Sequence, residues 1–283
     1  MKIKVIAWLI LLSATMLLFS CDKTGKGIAD DGKPAVVVKT QQLSDNSAFT
    51  MSNGQRCTIV AEATIDYPVT DGDGQPVDSL QRLFAATVLE SGECLSLTEA
   101  MRQVVANSMH QYDFMQEPVD KTTATGAGEE PAWAVKYATS TRITPIYNKR
   151  GVVTIERVDV VKKNDKVSSV THRYYSFDVQ TQSFIDLNRL FREDAIADVC
   201  QLLKQQLLKQ NNATGNEELN DLGYYNVENI TVTRNFYFDD KGMTWSFLPN
   251  ELAVEAVGEP RIHIPFDDLK QTLCEESMIE RLK

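Results

Sequence analysis

The side chains with the most chemical potential lie in the run Thr171-His172-Arg173-Tyr174-Tyr175-Ser176-Phe177-Asp178. A histidine able to exchange a proton stands beside a guanidinium and two phenols, groups that suit hydrogen-bonding and planar ligands. His172, Arg173, Tyr174 and Tyr175 therefore form the candidate binding patch. The same tyrosines also suit a plain sheet face, because Tyr packs well on a pleated surface. The other histidines, His110 and His263, fall on a predicted helix and a predicted strand and read as structural. No GxSxG elbow, HExxH helix, Walker loop or GxGxxG turn occurs, so no catalytic residue is assigned. Asp71-Gly72-Asp73-Gly74 opens like a calcium loop, but Pro76 replaces the turn glycine and Arg82 the closing glutamate. A tight turn explains those residues, and neither a metal nor a cofactor is expected.

The N-terminus carries a different chemistry. Lys2 and Lys4 precede an apolar run, Val5 to Phe19, that is shorter than the roughly 18 to 20 residues a membrane span requires. Leu18-Phe19-Ser20-Cys21 resembles the lipobox of bacterial lipoproteins, in which the cysteine is lipidated and becomes the new N-terminus; the bulky Phe19 departs from the usual pattern. Residues 1–20 then read as a lipoprotein signal peptide and Cys21 as the lipidation site. Each buried CH₂ of an acyl chain contributes about 0.8 kcal/mol, so several chains on one cysteine hold a protein firmly to a membrane. Residues 21–35, with Gly25, Gly27 and Asp30-Asp31-Gly32, read as a flexible tether.

At 43% hydrophobic and 8% aromatic, the remainder can bury a core. The formal charge is -10, and removing the leader with Lys2 and Lys4 would leave -12. Such a surface repels nucleic acid and favours cationic partners, although many soluble proteins are simply acidic. Cys57, Cys94, Cys200 and Cys274 lack CxxC spacing, which argues against a zinc knuckle. Two disulfides with three connectivities are conceivable; buried free thiols are preferred, because Cys57 and Cys200 fall on apolar stripes.

The elements that must position these residues follow from periodicity. Val36 to Thr40 and Cys57 to Tyr67 read as strands, the second ended by Pro68. Asp78-Ser79-Leu80-Gln81 and Ser96-Leu97-Thr98-Glu99 have capping-box spacing and open two helices. The second helix carries a stripe through Met101, Val104, Val105, Met109 and Tyr112. Lys121 to Pro131 reads as an exposed loop. Trp133 to Tyr147, Gly151 to Lys162 and Val167 to Val179 suggest an antiparallel meander. A third helix spans Glu193 to Lys209, and a polar loop Asn211 to Asn220. Asn235 to Leu248 reads as a hairpin whose Gly242 adopts positive φ, with Phe236, Phe238, Met243, Trp245 and Phe247 packing on helices that carry Leu203 and Val104. A strand at Arg261 to Pro265 and a helix at Phe266 to Leu273 close the chain. The expected fold is α+β, an antiparallel sheet with helices packed on one face, in a single domain over residues 36–283.

The C-terminal half resembles the RsiV-type C-terminal domain family. In that family a hairpin leads into Pro-x-Glu-Ile-Ala, Ala-x-Gly and Ile-Pro-Tyr. The matching positions are Pro249, Glu251, Leu252 and Ala253, then Ala256 and Gly258, then Ile264, Pro265 and Phe266. Upstream, Phe177, Asp178, Thr181, Leu190 and Phe191 match the run before the family's helix, and the likeness spans roughly Val153 to Leu273. A glycine-rich hairpin common in the family is replaced by Ser168-Ser169-Val170-Thr171-His172. Such domains occur in envelope lipoproteins, in a lysozyme-sensing anti-sigma factor and beside peptidoglycan deacetylase modules. The resemblance implies a protein of the bacterial cell envelope, held by lipid and facing periplasm or exterior. Its expected role is non-catalytic: a binding or sensor module for a cell-wall component such as peptidoglycan, or for a cationic secreted protein such as lysozyme. The alternatives are a glycan-active enzyme with an unrecognised carboxylate site and a structural subunit of an envelope complex.

Overall fold

The computed structural model describes residues 33–51, 54–91, 96–115, 134–275 and 277–282. Cys21, the leader, most of the tether, Cys94 and the Lys121 to Pro131 segment lie outside the described residues. The chain builds a six-stranded sheet in the order β1-β2-β3-β4-β5-β6 and a three-stranded sheet in the order β7-β8-β9. The large sheet comprises β1 (Val36–Thr50), β2 (Arg56–Asp71), β3 (Val135–Lys149), β4 (Val152–Lys163), β5 (Lys166–Asp178) and the two-residue β6 (Ser183–Phe184). The small one comprises β7 (Phe236–Phe238), β8 (Gly242–Ser246) and β9 (Arg261–Pro265). Among the described residues six α-helices accompany them: α1 (Asp78–Thr87), α2 (Leu97–His110), α3 (Ile196–Gln210), α4 (Asn216–Asp221), α5 (Phe266–Leu269) and α6 (Ile279–Leu282).

The α+β, single-domain expectation holds, with two additions. The sheet is not wholly antiparallel: β2 and β3 run parallel, Cys57 opposite Val135 through Ile65 opposite Ile143. A parallel pair needs a crossover, and the chain between them supplies α1 and α2. A second sheet then lets α3 pack away from the first.

Each sheet has its own core. On β2, Cys57, Ile59, Ala61, Ala63 and Ile65 are buried in strict alternation, as a one-sided strand demands. Ala61, Ala63 and Ile65 share a cluster with Leu80 and Phe84 of α1, Met101 and Val104 of α2, and Ile143, Ile155 and Phe177. The second core joins Val199, Leu203 and Leu207 of α3 to Phe236, Phe238, Trp245, Ile262 and Ile264. Trp245 is fully buried, as expected of the hairpin. The expected contact with the helix carrying Val104 is corrected: the hairpin lies in the core of Leu203, and Val104 belongs to the other.

Local expectations meet mixed outcomes. Ser96 caps α2 with a full capping box. The Asp78 box does not form; Val77 is the N-cap and makes no side-chain cap. Gln182 instead accepts from the backbone N–H groups of Ser79 and Leu80 at 3.1 and 3.2 Å. Pro68 does not end β2, which continues to Asp71; it sits where the β1 register shifts, a bulge being the place a strand tolerates a missing N–H. The polar Asn211 to Asn220 stretch contains the start of α4. Gly242 has no positive φ; an added Cβ would collide with the Ile264 carbonyl, so close strand approach is what requires glycine there. Cys57, Cys200 and Cys274 are free thiols, Cys57 buried.

Candidate functional site

Strand alternation divides the four-residue patch. On β5, His172 and Tyr174 project to one face and Arg173 and Tyr175 to the other, because successive side chains point oppositely. The run therefore supplies two separate clusters.

On the first face Glu156 is the hub. It lies opposite Tyr174 on β4, and its Oε1 accepts the Tyr174 hydroxyl at 3.0 Å. The same oxygen lies 3.0 Å from His172 Nδ1. Tyr174 is 3% exposed, packs its ring 4.6 Å from that of Tyr237, and has the Arg261 guanidinium 5.9 Å from its centroid. Burial pushes the Tyr174 phenol well above its ordinary value; Arg261 opposes this, while Glu156 and Tyr237 reinforce it. The phenol is thus a fixed donor, not a proton-exchanging group.

Backbone groups of the same stretch are held by side chains in place of a neighbouring strand. The His172 N–H donates to Glu259 Oε1 and the Tyr174 N–H to Asn235 Oδ1, each at 2.8 Å. Asn235 Nδ2 donates to the carbonyls of His172 and Ser246, both at 3.1 Å, and so staples β5 to β8. Unpaired buried backbone groups cost about 1 to 3 kcal/mol, which these side chains remove. Glu259 Oε2 is 3.7 Å from Arg261.

The second face holds an ion network beside α1. Arg157 Nε donates to Asp159 at 2.8 Å, and its Nη1 reaches the Val88 carbonyl at 2.9 Å and Glu90 at 3.1 Å. Burial works against the charged guanidinium, but Asp159 and Glu90 outweigh it and keep it charged. Arg173 joins through Asp159 at 3.4 Å, and Thr141 donates to Asp159 at 2.6 Å. Tyr175 packs at the margin of the α1–α2 core, its phenol raised by burial.

A third cluster was not anticipated in the sequence. Asp178, at the end of β5, is 3% exposed and meets Arg281 of α6 at 2.8 Å and Arg189 at 3.3 Å. Burial pushes its carboxyl up, yet Arg281 and the Thr181 N–H outweigh burial and hold it below the ordinary range. Glu156, Asn235, Glu259, Arg261 and Asp178 are the functional-looking residues that sequence reasoning missed. Only Asp178 carried a signal, as the acid closing the aromatic run.

Asp71 forms a turn: its Oδ1 accepts from the N–H groups of Asp73 and Gln75 at 2.9 and 2.8 Å. Among the described residues no group of three or more His, Cys, Asp or Glu is placed to hold a metal. Among them, too, no helix is long and apolar enough to cross a membrane.

Residues 188–267 match the family described as "Protein of unknown function (DUF3298)", inside the stretch that carries the RsiV-type resemblance. No curated protein matches the chain. The fold is similar to that of a DUF3298 family member from Bacteroides fragilis NCTC 9343, with TM-score 0.66 and 19% identity, over 89% of this chain and 99% of that one. A DUF3298 family protein from Pseudomonas aeruginosa PAO1 is similar with TM-score 0.52 and 12% identity, over 86% and 97% of the respective chains.

Proposed function

We propose that this chain is a lipid-anchored, non-catalytic binding or sensor module of the bacterial cell envelope. The observation that carries the reading is the apolar leader ending at Ser20-Cys21, about a dozen residues before the first described residue, Lys33. A dozen residues reach at most roughly 40 Å when fully extended, enough to stand a folded body off a membrane surface. Ala35 and Val36 bond to Asn148 at one end of the large sheet. The RsiV-type resemblance supports the same compartment.

Binding is favoured over turnover by how the chemistry-bearing side chains are used. Asn235, Glu259 and the Tyr174–Tyr237 ring contact link β5 to the chain of the second sheet, and the buried Tyr174 hydroxyl is committed to Glu156. The partner class is a cell-wall component or a cationic secreted protein, matched to the formal charge of -10. Calorimetry of the full-length protein in detergent against lysozyme and against peptidoglycan fragments tests this. Saturable binding to either without turnover is expected, and lysozyme binding should weaken with salt as charges are screened beyond about 8 Å. Hydrolysis or deacetylation of the fragments, lost in Glu156→Gln, would overturn the non-catalytic reading.

A further inference from the structure

Beyond that reading, the geometry points to a second docking surface: the outer edge of β5 over Lys166–Thr171, which we propose accepts an acidic, extended peptide segment of a partner protein as an added strand. β5 pairs with β4 along its length, but on its other side it meets β6 only at Phe177 and Asp178. His172 and Tyr174 have their outward backbone groups taken by Glu259 and Asn235. Upstream of His172, residues 166–171 have no strand partner on that side among the described residues. Val170, two residues back, continues the same outward set, since outward peptide groups recur every second residue.

The side chains around this edge define the partner. Val167 and Val170 are 58% and 38% exposed, an apolar pair of the kind an added strand covers. Lys162, Lys163 and Lys166 are exposed around the turn, with Lys136 beside it. One acidic group, Asp165, lies among these four lysines and pairs with Lys136 at 3.5 Å. Lys163 stands over the Tyr137 ring at 5.6 Å, which leaves Lys162 and Lys166 directed to solvent. On a protein of formal charge -10 this is a local positive tip, complementary to carboxylates rather than to the cationic partner that the net charge suggests.

The turn at the tip is closed by two left-handed residues and hydrogen-bonded to β3. Asn164 and Asp165 have φ of 49° and 62°, the left-handed pair of a type I′ hairpin. Asn164 also bridges to β3: its N–H donates to the Lys136 carbonyl and its Oδ1 accepts from the Lys136 N–H, each at 2.8 Å. Val36 lies beside Asn148, at the end of β3 where β4 begins. The tip is at the opposite end of β4, a strand of 12 residues and about 40 Å at 3.3 Å per residue. Lysines on an edge strand also guard against aggregation, and the experiment separates guarding from docking.

The probe is a fluorescent synthetic peptide alternating glutamate and valine, about eight residues long, as an ordinary strand is. It is titrated by anisotropy into full-length protein in detergent. Two control peptides replace glutamate with lysine, or carry methyl groups on alternate backbone nitrogens. The glutamate peptide should bind saturably, at least about tenfold more tightly than the lysine peptide. Backbone methylation should abolish binding, because it removes the strand hydrogen bonds. The double variant Lys162→Glu/Lys166→Glu, exposed on both counts, should keep its unfolding curve and lose about tenfold in affinity. No saturable binding, equal binding of the methylated peptide, or unchanged affinity in the variant would overturn the proposal and leave the lysines as guards. This readout does not depend on lipid attachment, so failure of the anchor and failure of this surface are distinguishable.

Discussion

Tyr174 and His172 converge on one oxygen: Glu156 Oε1 accepts the Tyr174 hydroxyl at 3.0 Å and lies 3.0 Å from His172 Nδ1. One carboxylate thereby fixes the stretch of β5 that Asn235 staples to the second sheet. Tyr174→Phe removes a single donor from a half-buried carboxylate and should cost about 1 to 2 kcal/mol. Tyr174→Ala also removes the ring packed on Tyr237 and should cost about 3 to 5 kcal/mol. Urea denaturation measures both. A phenylalanine variant as stable as the parent would show that the hydroxyl fastens nothing.

Gln182 caps a helix that begins a hundred residues before it. Its side-chain oxygen takes the Ser79 and Leu80 N–H groups, the role that a local Ser or Asp plays elsewhere. Gln182→Ala should cost about 1 kcal/mol, read from the same denaturation experiment. A Ser79→Ala change should cost less, because Val77, not Asp78 or Ser79, occupies the cap position.

These two sites mark where the sequence was legible and where it was not. The period-two burial of Cys57, Ile59, Ala61, Ala63 and Ile65 and the Ser96–Glu99 box are local patterns, and both appear as expected. The partners of the candidate patch are not local. Glu156 reaches His172 from 16 residues away, Asn235 reaches Tyr174 from 61, and Glu259 reaches His172 from 87. The first follows from the register of the β4–β5 hairpin, in which Glu156 faces Tyr174, whereas the other two depend on how the two sheets dock, which no spacing rule encodes. The division of His172 and Tyr174 from Arg173 and Tyr175 was within reach, since it follows from alternation alone. The hairpin and the Arg261 to Pro265 strand were legible locally, but that they form a sheet of their own was not, because periodicity marks strands without saying which of them pair.

Asp178 ties α6 to the large sheet through Arg281, and its folded carboxyl is held below the ordinary value of 3.8. The sign follows directly. Above that value the carboxylate is ionised in both folded and unfolded chains and the tie contributes fully. As pH falls below it, the unfolded chain takes up the proton first and the contribution is lost as the folded group protonates. Denaturation free energies measured stepwise between about pH 5 and 2 should fall more steeply for the parent than for Asp178→Asn. Parallel curves for the two would contradict the tie.

Attachment through Cys21 is the central claim, and metabolic labelling with a palmitate analogue tests it most directly. The parent should be labelled and pellet with membranes, because one cysteine carrying several acyl chains binds a bilayer stably. Cys21→Ser should lose the label and retain the unprocessed leader. A parent chain that takes up no label, or a Cys21→Ser variant labelled as strongly as the parent, would contradict the account.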